Sequence, residues 1–499
     1  MTLDLLVRTA AVLTLVPTLF AGPPAPEPTA LAVSQALVAA FGSDAVVDDS
    51  QDTHCQSAPA MPVAYRTDRI ILRPPATMTT PTALARLAAA LQAEMGAGTF
   101  TIGTPEVLEW NEPAAARLDD SPLRKVISVP VGSVSAEDVP VLRVARRLVR
   151  LDHLPAAPDY LVGPSNGPLG VWPDGGPEKT GSPGVPRPGL GAGTTVALFD
   201  SGVPASIEAK LPPRLSALTA GDAEDPDRND DDLADVYYAV HLTAIAGIFA
   251  TIVPEADVVG VRVTGPNGVA TEFSAAKRMV TTLRAAHRAG AWPQVIVNSF
   301  GTAVCHEGGP NPGVDLIPLG LQLVAEAVDR HQEAVVVAAA GNRGTDKPFY
   351  PAAFQGGVES VISVGALDAT ADNDGNAWTS KSRTAKPASF SNYGDWVTAW
   401  APGVDLATYH AVGLRFEPGG ELIDGYAKVS GTSFAAPFVG AEIAEELARH
   451  SGSPLEAWRA VRDAGRPCSA EVGSGVAVAL SSMDSRSTTP ADRGLPAEC

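Results

Sequence analysis

Cysteine is scarce: the 499 residues hold four, Cys55, Cys305, Cys468 and Cys499. That supply builds no disulfide framework, and its spacing contains no CxxC pair to grip zinc. The four could pair, but unpaired or buried thiols are the simpler expectation. Positive charge is also short. Lys and Arg total 36 against 56 Asp and Glu, most of the 36 are arginine, and the formal net charge is −20 with a pI near 4.8. Such a surface repels phosphate, so nucleic acid and anionic lipid are not expected partners. Long apolar runs are missing too, and no stretch reaches the roughly 20 residues that a membrane-spanning helix needs. "TAAVLTLVPTLFA" (9–21) has the length of a signal-peptide core and precedes small residues, yet Asp4 sits before it and Pro17 interrupts it. Export and a cytoplasmic location both stay open.

What is plentiful is proline and glycine, 44 and 47 residues, and they punctuate the chain. Residues 1–60 are Ala/Pro-rich and weakly patterned, a leader and linker. From 61 to 155 the pattern is α+β. "RIILR" (69–73) reads as a strand. "TPTALARLAAALQAEMG" (80–96) reads as a helix with Thr80 as cap, Pro81 after it, Leu84, Leu87, Leu91 and Met95 on one face, and Gly96 as the stop. "KVISVPV" (125–131) is a second strand, and 135–148 a second helix capped by Ser135 with Asp138 in its first turn. A small ferredoxin-like domain fits this order. Residues 156–193 are dense in Pro and Gly and read as a semi-rigid linker.

After 193 the chain alternates apolar runs with helical patterns up to about 485, leaving a tail at 486–499. Strands are expected at 194–200, 256–263, 293–299, 334–342 and 359–366, with helices at 239–250, 274–289 and 316–332. Strands apolar on both faces and alternating with helices predict a three-layer α/β domain with a mostly parallel central sheet. In such sheets reacting groups gather beyond the carboxyl ends of the strands.

Four residues sit at those junctions. Asp200 ends the first strand, His241 opens an apolar helix, Asn342 follows a strand, and Ser433 lies in "SGTSFAAPFVGAEIA" (430–444), where a glycine turn runs into a helix. Each has an ordinary explanation as a turn former or cap. Together they supply what acyl transfer needs: a hydroxyl, a base to take its proton, a carboxylate to fix the imidazole tautomer, and an amide to meet the oxyanion.

The motifs "DSGV" (200–203), "HLTAIAG" (241–247), "AAAGN" (338–342) and "SGTSFAAP" (430–437), with "VNSFG" (297–301) and "FSNYGDWVTAWAPG" (390–403) between, resemble those of subtilisin-like serine proteases, the subtilases. The resemblance covers about 194–485. It implies a serine endopeptidase acting on polypeptides, with Ser433 as nucleophile, His241 as general base, Asp200 as its support and Asn342 in the oxyanion hole. It implies no redox cofactor or catalytic metal. Ser299, Phe300 and Gly301, with Ala339, Ala340 and Gly341, are expected to flank the substrate side chain before the cleaved bond (P1) and to pair with substrate backbone. The 61–155 unit resembles a subtilase propeptide in pattern, and so is a candidate inhibitor of its own catalytic domain. The sequence departs from the family at Val240, where glycine is common, and at Leu242 and Ala244, where the family has His-Gly-Thr-His. These departures motivate one alternative, a subtilase-shaped binding protein without turnover; a second is an esterase or other acyl-transfer hydrolase on the same triad.

Other features are weaker. "GPSNG" (163–167) matches a nucleophile elbow but lies in the linker, without the strand and helix that motif requires. "DAEDPDRNDDDLAD" (222–235) offers oxygen ligands at Asp225, Asp227, Asn229 and Asp231 for a structural calcium, yet lacks the glycine and final glutamate of an EF-hand. A solvated acidic loop is the simpler reading. Arg343, after the candidate oxyanion residue, suggests acidic P1 residues, and Phe349 suggests a shortened P1 pocket.

Overall fold

The computed structural model describes residues 45–48, 63–110, 124–134, 139–164, 177–182, 189–204, 223–224, 240–265, 268–305, 315–368, 386–416, 421–468 and 475–478. The signal-like segment 9–21 and most of the acidic run at 222–235 lie outside them. An N-terminal unit comes first: β1 (Ala45–Asp48), β2 (Val63–Leu72), α1 (Thr80–Met95), β3 (Phe100–Ile102), β4 (Glu106–Trp110), β5 (Arg124–Ser133), α2 (Val141–Asp152) and β6 (Ala156–Pro164). The order β6–β2–β5–β4 is antiparallel throughout, the split β-α-β arrangement of a ferredoxin-like unit. β1 adds to β2 from within the stretch read as leader.

Local chemistry explains the helices. α1 buries Ala83, Leu87, Ala90 and Leu91 on one stripe. Its cap is Thr79, one residue before the expected Thr80, and the Thr79 hydroxyl accepts from the Thr82 N–H at 3.3 Å. α2 starts at Val141 behind Pro140, later than the pattern suggested, and the expected caps at 135 and 138 lie outside the described residues. β6 corrects the linker reading at its first nine positions, because Ala156–Pro164 is a strand buried along its whole length. Pro155, Pro158 and Pro164 disguise it. A strand tolerates proline where a ladder bond is dispensable, and here pairing to several neighbours supplies the rest.

β7 (Glu178–Lys179) follows, then β8 (Thr195–Asp200), α3 (His241–Ile252), β9 (Asp257–Arg262), β10 (Ala270–Thr271), α4 (Glu272–Arg288), β11 (Val295–Asn298), β12 (Phe300–Gly301) and α5 (Leu319–His331). The remainder is β13 (Val335–Ala339), β14 (Val361–Asp368), β15 (Ala399–Pro402), β16 (Leu406–Leu414), β17 (Ile423–Val429), α6 (Thr432–Arg449), α7 (Pro454–Ala464), β18 (Arg466–Pro467) and β19 (Val476–Ala477). β9, β8, β11, β13, β14, β15 and β19 lie side by side in that order, all parallel, with β18 antiparallel at the edge. The expected strands and helices are all present, with their ends moved by a few residues.

The three layers follow from alternation along β8. Val196 and Leu198 join one core with α3 and α6, while Ala197 and Phe199 join another with α4 and α5. That second core continues through Ile70, Leu72, Val129 and Tyr160 of the N-terminal unit, so the two units share buried apolar surface. Polar contacts frame the seam. Arg73 makes a two-pronged ion pair with Glu326 (3.0 and 2.6 Å), and the Tyr160 hydroxyl donates to the Leu316 carbonyl at 2.6 Å. The Trp110 ring stands edge-on to Trp292, with centroids 6.2 Å apart.

Both described cysteines correct the thiol expectation: Cys305 and Cys468 are each disulfide-bonded. Spacing alone does not reveal such pairing.

Candidate active site

Strand ends and helix starts bring the four candidate residues together, as the parallel sheet requires. Asp200 closes β8 and His241 opens α3; both side chains are at most 3% exposed, and His241 Nδ1 lies 2.6 Å from Asp200 Oδ1. The same carboxylate oxygen accepts from the Ser201 N–H at 2.7 Å. A carboxylate on Nδ1 selects the tautomer with hydrogen there and leaves Nε2 as the basic nitrogen. The His241 ring packs 5.4 Å from the ring of Phe434, the residue after Ser433.

Ser433 is the second residue of α6, behind Gly431, whose φ of 149° is a conformation glycine adopts cheaply. Its hydroxyl donates to the Ser299 carbonyl at 3.3 Å, and the Ser299 hydroxyl donates back to the Ser433 carbonyl at 2.8 Å. Asn342 is fixed from the opposite side. Its Oδ1 accepts from both the N–H (2.8 Å) and the hydroxyl (2.7 Å) of Thr432, which assigns the other end of the amide as the NH2 group.

Two residues that sequence reasoning did not single out hold this arrangement. Thr432 anchors Asn342, and its hydroxyl also accepts from the Gly341 N–H at 3.1 Å. Asn392, fully buried, donates to the Ala340 carbonyl (2.8 Å) and accepts from the Arg343 N–H (2.9 Å), so it braces the loop that carries Asn342. Both lie inside quoted motifs, "SGTSFAAP" and "FSNYG", but only the tertiary fold shows what they touch. A third, His410 on β16, is buried, and its pKa is pushed down to about 3 by burial, with His241 adding to the shift.

The expected substrate-binding segments divide. Phe300 and Gly301 form β12 and pair antiparallel with Pro164 and Gly163 of β6. Ala339, Ala340 and Gly341 do not form a second pairing edge. The Ala340 N–H goes to the Val364 carbonyl (2.9 Å) and the Gly341 N–H to Thr432, while the Gly341 carbonyl accepts from the Asn392 N–H (2.8 Å). With those groups spent internally, the segment is a wall. β6 is also paired by β10, where Ala270 and Thr271 pair antiparallel with Val162 and Leu161. The departing residues Val240, Leu242 and Ala244 are wholly buried in the core beneath α3. Ala244 presents its carbonyl to the Thr408 hydroxyl at 2.7 Å. There α3 and β16 come so close that a Cβ on Gly247 would stand 2.7 Å from the Tyr409 nitrogen.

Two acidic side chains at the seam have perturbed protonation. Asp159 of β6 accepts from the Phe273 N–H at 3.1 Å, and burial raises its pKa to about 6 against the pull of that bond and of Arg69. Glu272 accepts from the N–H groups of Gly320 and Leu321, and burial, then the charge of Asp159, raise it to about 8. Among the described residues no group of three His, Cys, Asp or Glu side chains is placed to hold a metal ion, and no helix is long and apolar enough to cross a membrane.

The model of the subtilase family matches residues 191–464. The thermophilic serine proteinase of Bacillus sp. (strain AK1) is 39% identical over 128 residues, 26% of this chain and 24% of that protein. Mycosin-1 of Mycolicibacterium smegmatis is 28% identical over 277 residues, 50% and 58% of the two chains. Thermitase of Thermoactinomyces vulgaris is 27% identical over 274 residues, 53% and 78%. The chain thus spans a quarter to three fifths of the first two relatives. Among solved structures, fervidolysin from Fervidobacterium pennivorans, a keratinolytic enzyme related to subtilisin, superposes with a TM-score of 0.50 at 17% identity, over 83% of this chain and 60% of that one. At that identity the likeness speaks for the fold.

Proposed function

The chain belongs to the subtilase family, and from that premise we propose that it is a serine endopeptidase hydrolysing peptide bonds through an acyl-enzyme. The observation that carries the reading is the buried 2.6 Å contact between His241 Nδ1 and Asp200. It leaves Nε2 to take the Ser433 proton as Oγ attacks the peptide carbonyl carbon. The oxyanion meets the Asn342 NH2 group and the Ser433 N–H, at the positive end of α6. His241 then returns the proton to the leaving amine as the C–N bond breaks. Water, deprotonated by the same nitrogen, cleaves the ester and restores the hydroxyl. These steps draw on side chains and one backbone N–H of this chain and on water.

The N-terminal unit is proposed as an inhibitor. The second half of β6 leaves its own sheet and runs antiparallel between β10 and β12, the backbone slots a substrate strand would use. Export fits the two bridged cysteines, because disulfides persist in oxidising compartments.

A fluorescent fluorophosphonate, applied to the full chain and to Ser433→Ala and followed on a gel over time, tests both proposals. Labelling and a drop in size, each lost in the variant, are the expected result. Labelling without the drop removes self-processing and keeps the enzyme. No labelling, even of chain clipped within 165–177 by a second protease, puts the binding protein in its place.

A further inference from the structure

β11 and β13 are paired as far as Asn298 and Ala338, and beyond that point the two chains part. One continues as Ser299–Phe300–Gly301 and the other as Ala339–Ala340–Gly341. The crevice between them opens beside Ser433, whose hydroxyl touches the Ser299 carbonyl and whose neighbour Thr432 holds the Gly341 N–H. A peptide held along β12 as β6 is held would bring its next residue opposite Ser299, within reach of Ser433. The side chain of that residue has this crevice to enter.

Phe349 is already there. Phe349 is 2% exposed, and the following residue, Tyr350, bridges to Thr302 through a pair of backbone hydrogen bonds of 2.9 Å, which seats the ring under β12. The ring reaches both walls. A Cβ built on Gly301 would stand 2.6 Å from Phe349 Cε1 and 3.0 Å from Cζ, and one on Gly341 would stand 3.2 Å from Cγ. Both walls are glycine where the ring meets them, so neither yields further room. Close-packed interiors do not absorb a second large side chain without displacing the first.

We propose that Phe349 fills the crevice for the residue preceding the cleaved bond and restricts this protease to small side chains there, Gly, Ala or Ser. The inference rests on the protease reading above. It also opposes the suggestion from Arg343, since a glutamate side chain needs the same volume that the ring takes.

The test uses the full chain and a set of peptidyl phosphonate diphenyl esters, which phosphonylate the serine as its Oγ attacks phosphorus and phenoxide leaves, and which differ only at P1: Ala, Val, Phe and Glu. β6 slows every reagent by the same factor, so that factor cancels from the ratios. The Ala reagent is expected to react roughly 100-fold faster than the Phe reagent, the order of discrimination an apolar pocket gives for several carbon atoms. Phe349→Ala is expected to bring that ratio to about one, and Phe349→Leu, which disturbs packing less, to move it part of the way. A wild-type preference for Phe or Glu overturns the inference, as does a ratio unchanged in both variants. If the simple fluorophosphonate labels Ser433 while P1 makes no difference, this inference falls and the protease reading stands; if nothing labels Ser433, both fall.

Discussion

The N-termini of α4 and α5 abut carboxylates, whereas that of α6 abuts a neutral amide. Asp159 takes the Phe273 N–H at the start of α4, and Glu272 takes two N–H groups at the start of α5, one of them at 3.0 Å. At α6 the Thr432 N–H goes to Asn342 Oδ1. A carboxylate satisfies the orphan donors and, when ionised, answers the helix field with a full charge. An amide satisfies one donor and offers another, without charge. A carboxylate at the start of α6 would repel the oxyanion that Ser433 is proposed to create. The first two helix starts are closed, and the third keeps its field available for a reaction.

Substitutions that erase this contrast, or remove what depends on it, have effects of graded size. Asp200→Asn is expected to fold normally and to lower kcat about 10⁴-fold, because the wrong histidine tautomer then faces Ser433; a fall below tenfold in peptide turnover would refute the assignment. Asn342→Asp makes α6 resemble α4 and α5. Turnover at neutral pH should drop roughly 10³-fold while Tm holds or rises, a split that a simple folding defect does not produce. Thr432→Val releases the Asn342 anchor and should cost about fivefold in kcat, the worth of roughly 1 kcal/mol from one hydrogen bond.

The closed ends predict a pH effect. With pKa values raised by burial to about 6 at Asp159 and about 8 at Glu272, the folded state holds protons that an exposed carboxyl releases near pH 4. The stabilisation is complete below that pH and fades as pH rises through 6 and then 8. Tm should decline across this window, and Glu272→Gln, which accepts the same N–H groups but does not titrate, should flatten its upper half. A wild-type Tm constant from pH 5 to 9 contradicts this. The smallest expected effect lies at α7, capped by its own Ser453 and Glu456; Ser453→Ala should cost about 1 kcal/mol in denaturant unfolding and leave activity alone.

Much of the domain after 193 was legible because its signals are local. Doubly buried strands read as apolar runs; Asp200 and Asn342 mark where two of them stop, and His241 and Ser433 mark where helices begin. β6 was not legible, because its strand character comes from partners: β2 for its first half, β10 and β12 for its second. The internal bonding of Ala340 and Gly341 was hidden for the same reason, since only the fold shows their hydrogen bonds spent on Asn392, Thr432 and Val364. The bracing role of Asn392 likewise depends on residues distant along the chain.

β7 has a consequence for the proposed inhibitor. Glu178 and Lys179 pair with Lys428 and Ala427 at the free edge of β17, and the Thr180 N–H reaches the Tyr426 carbonyl at 3.2 Å. The chain is therefore pinned to the catalytic domain on both sides of 165–177. While that span is whole, the N-terminal unit competes for the cleft at the local concentration of a short tether, on the order of millimolar. A cut within it leaves β7 on the catalytic domain and turns the inhibitor into a separate solute, whose occupancy then obeys mass action. Dilution alone, with no further chemistry, would then relieve the inhibition.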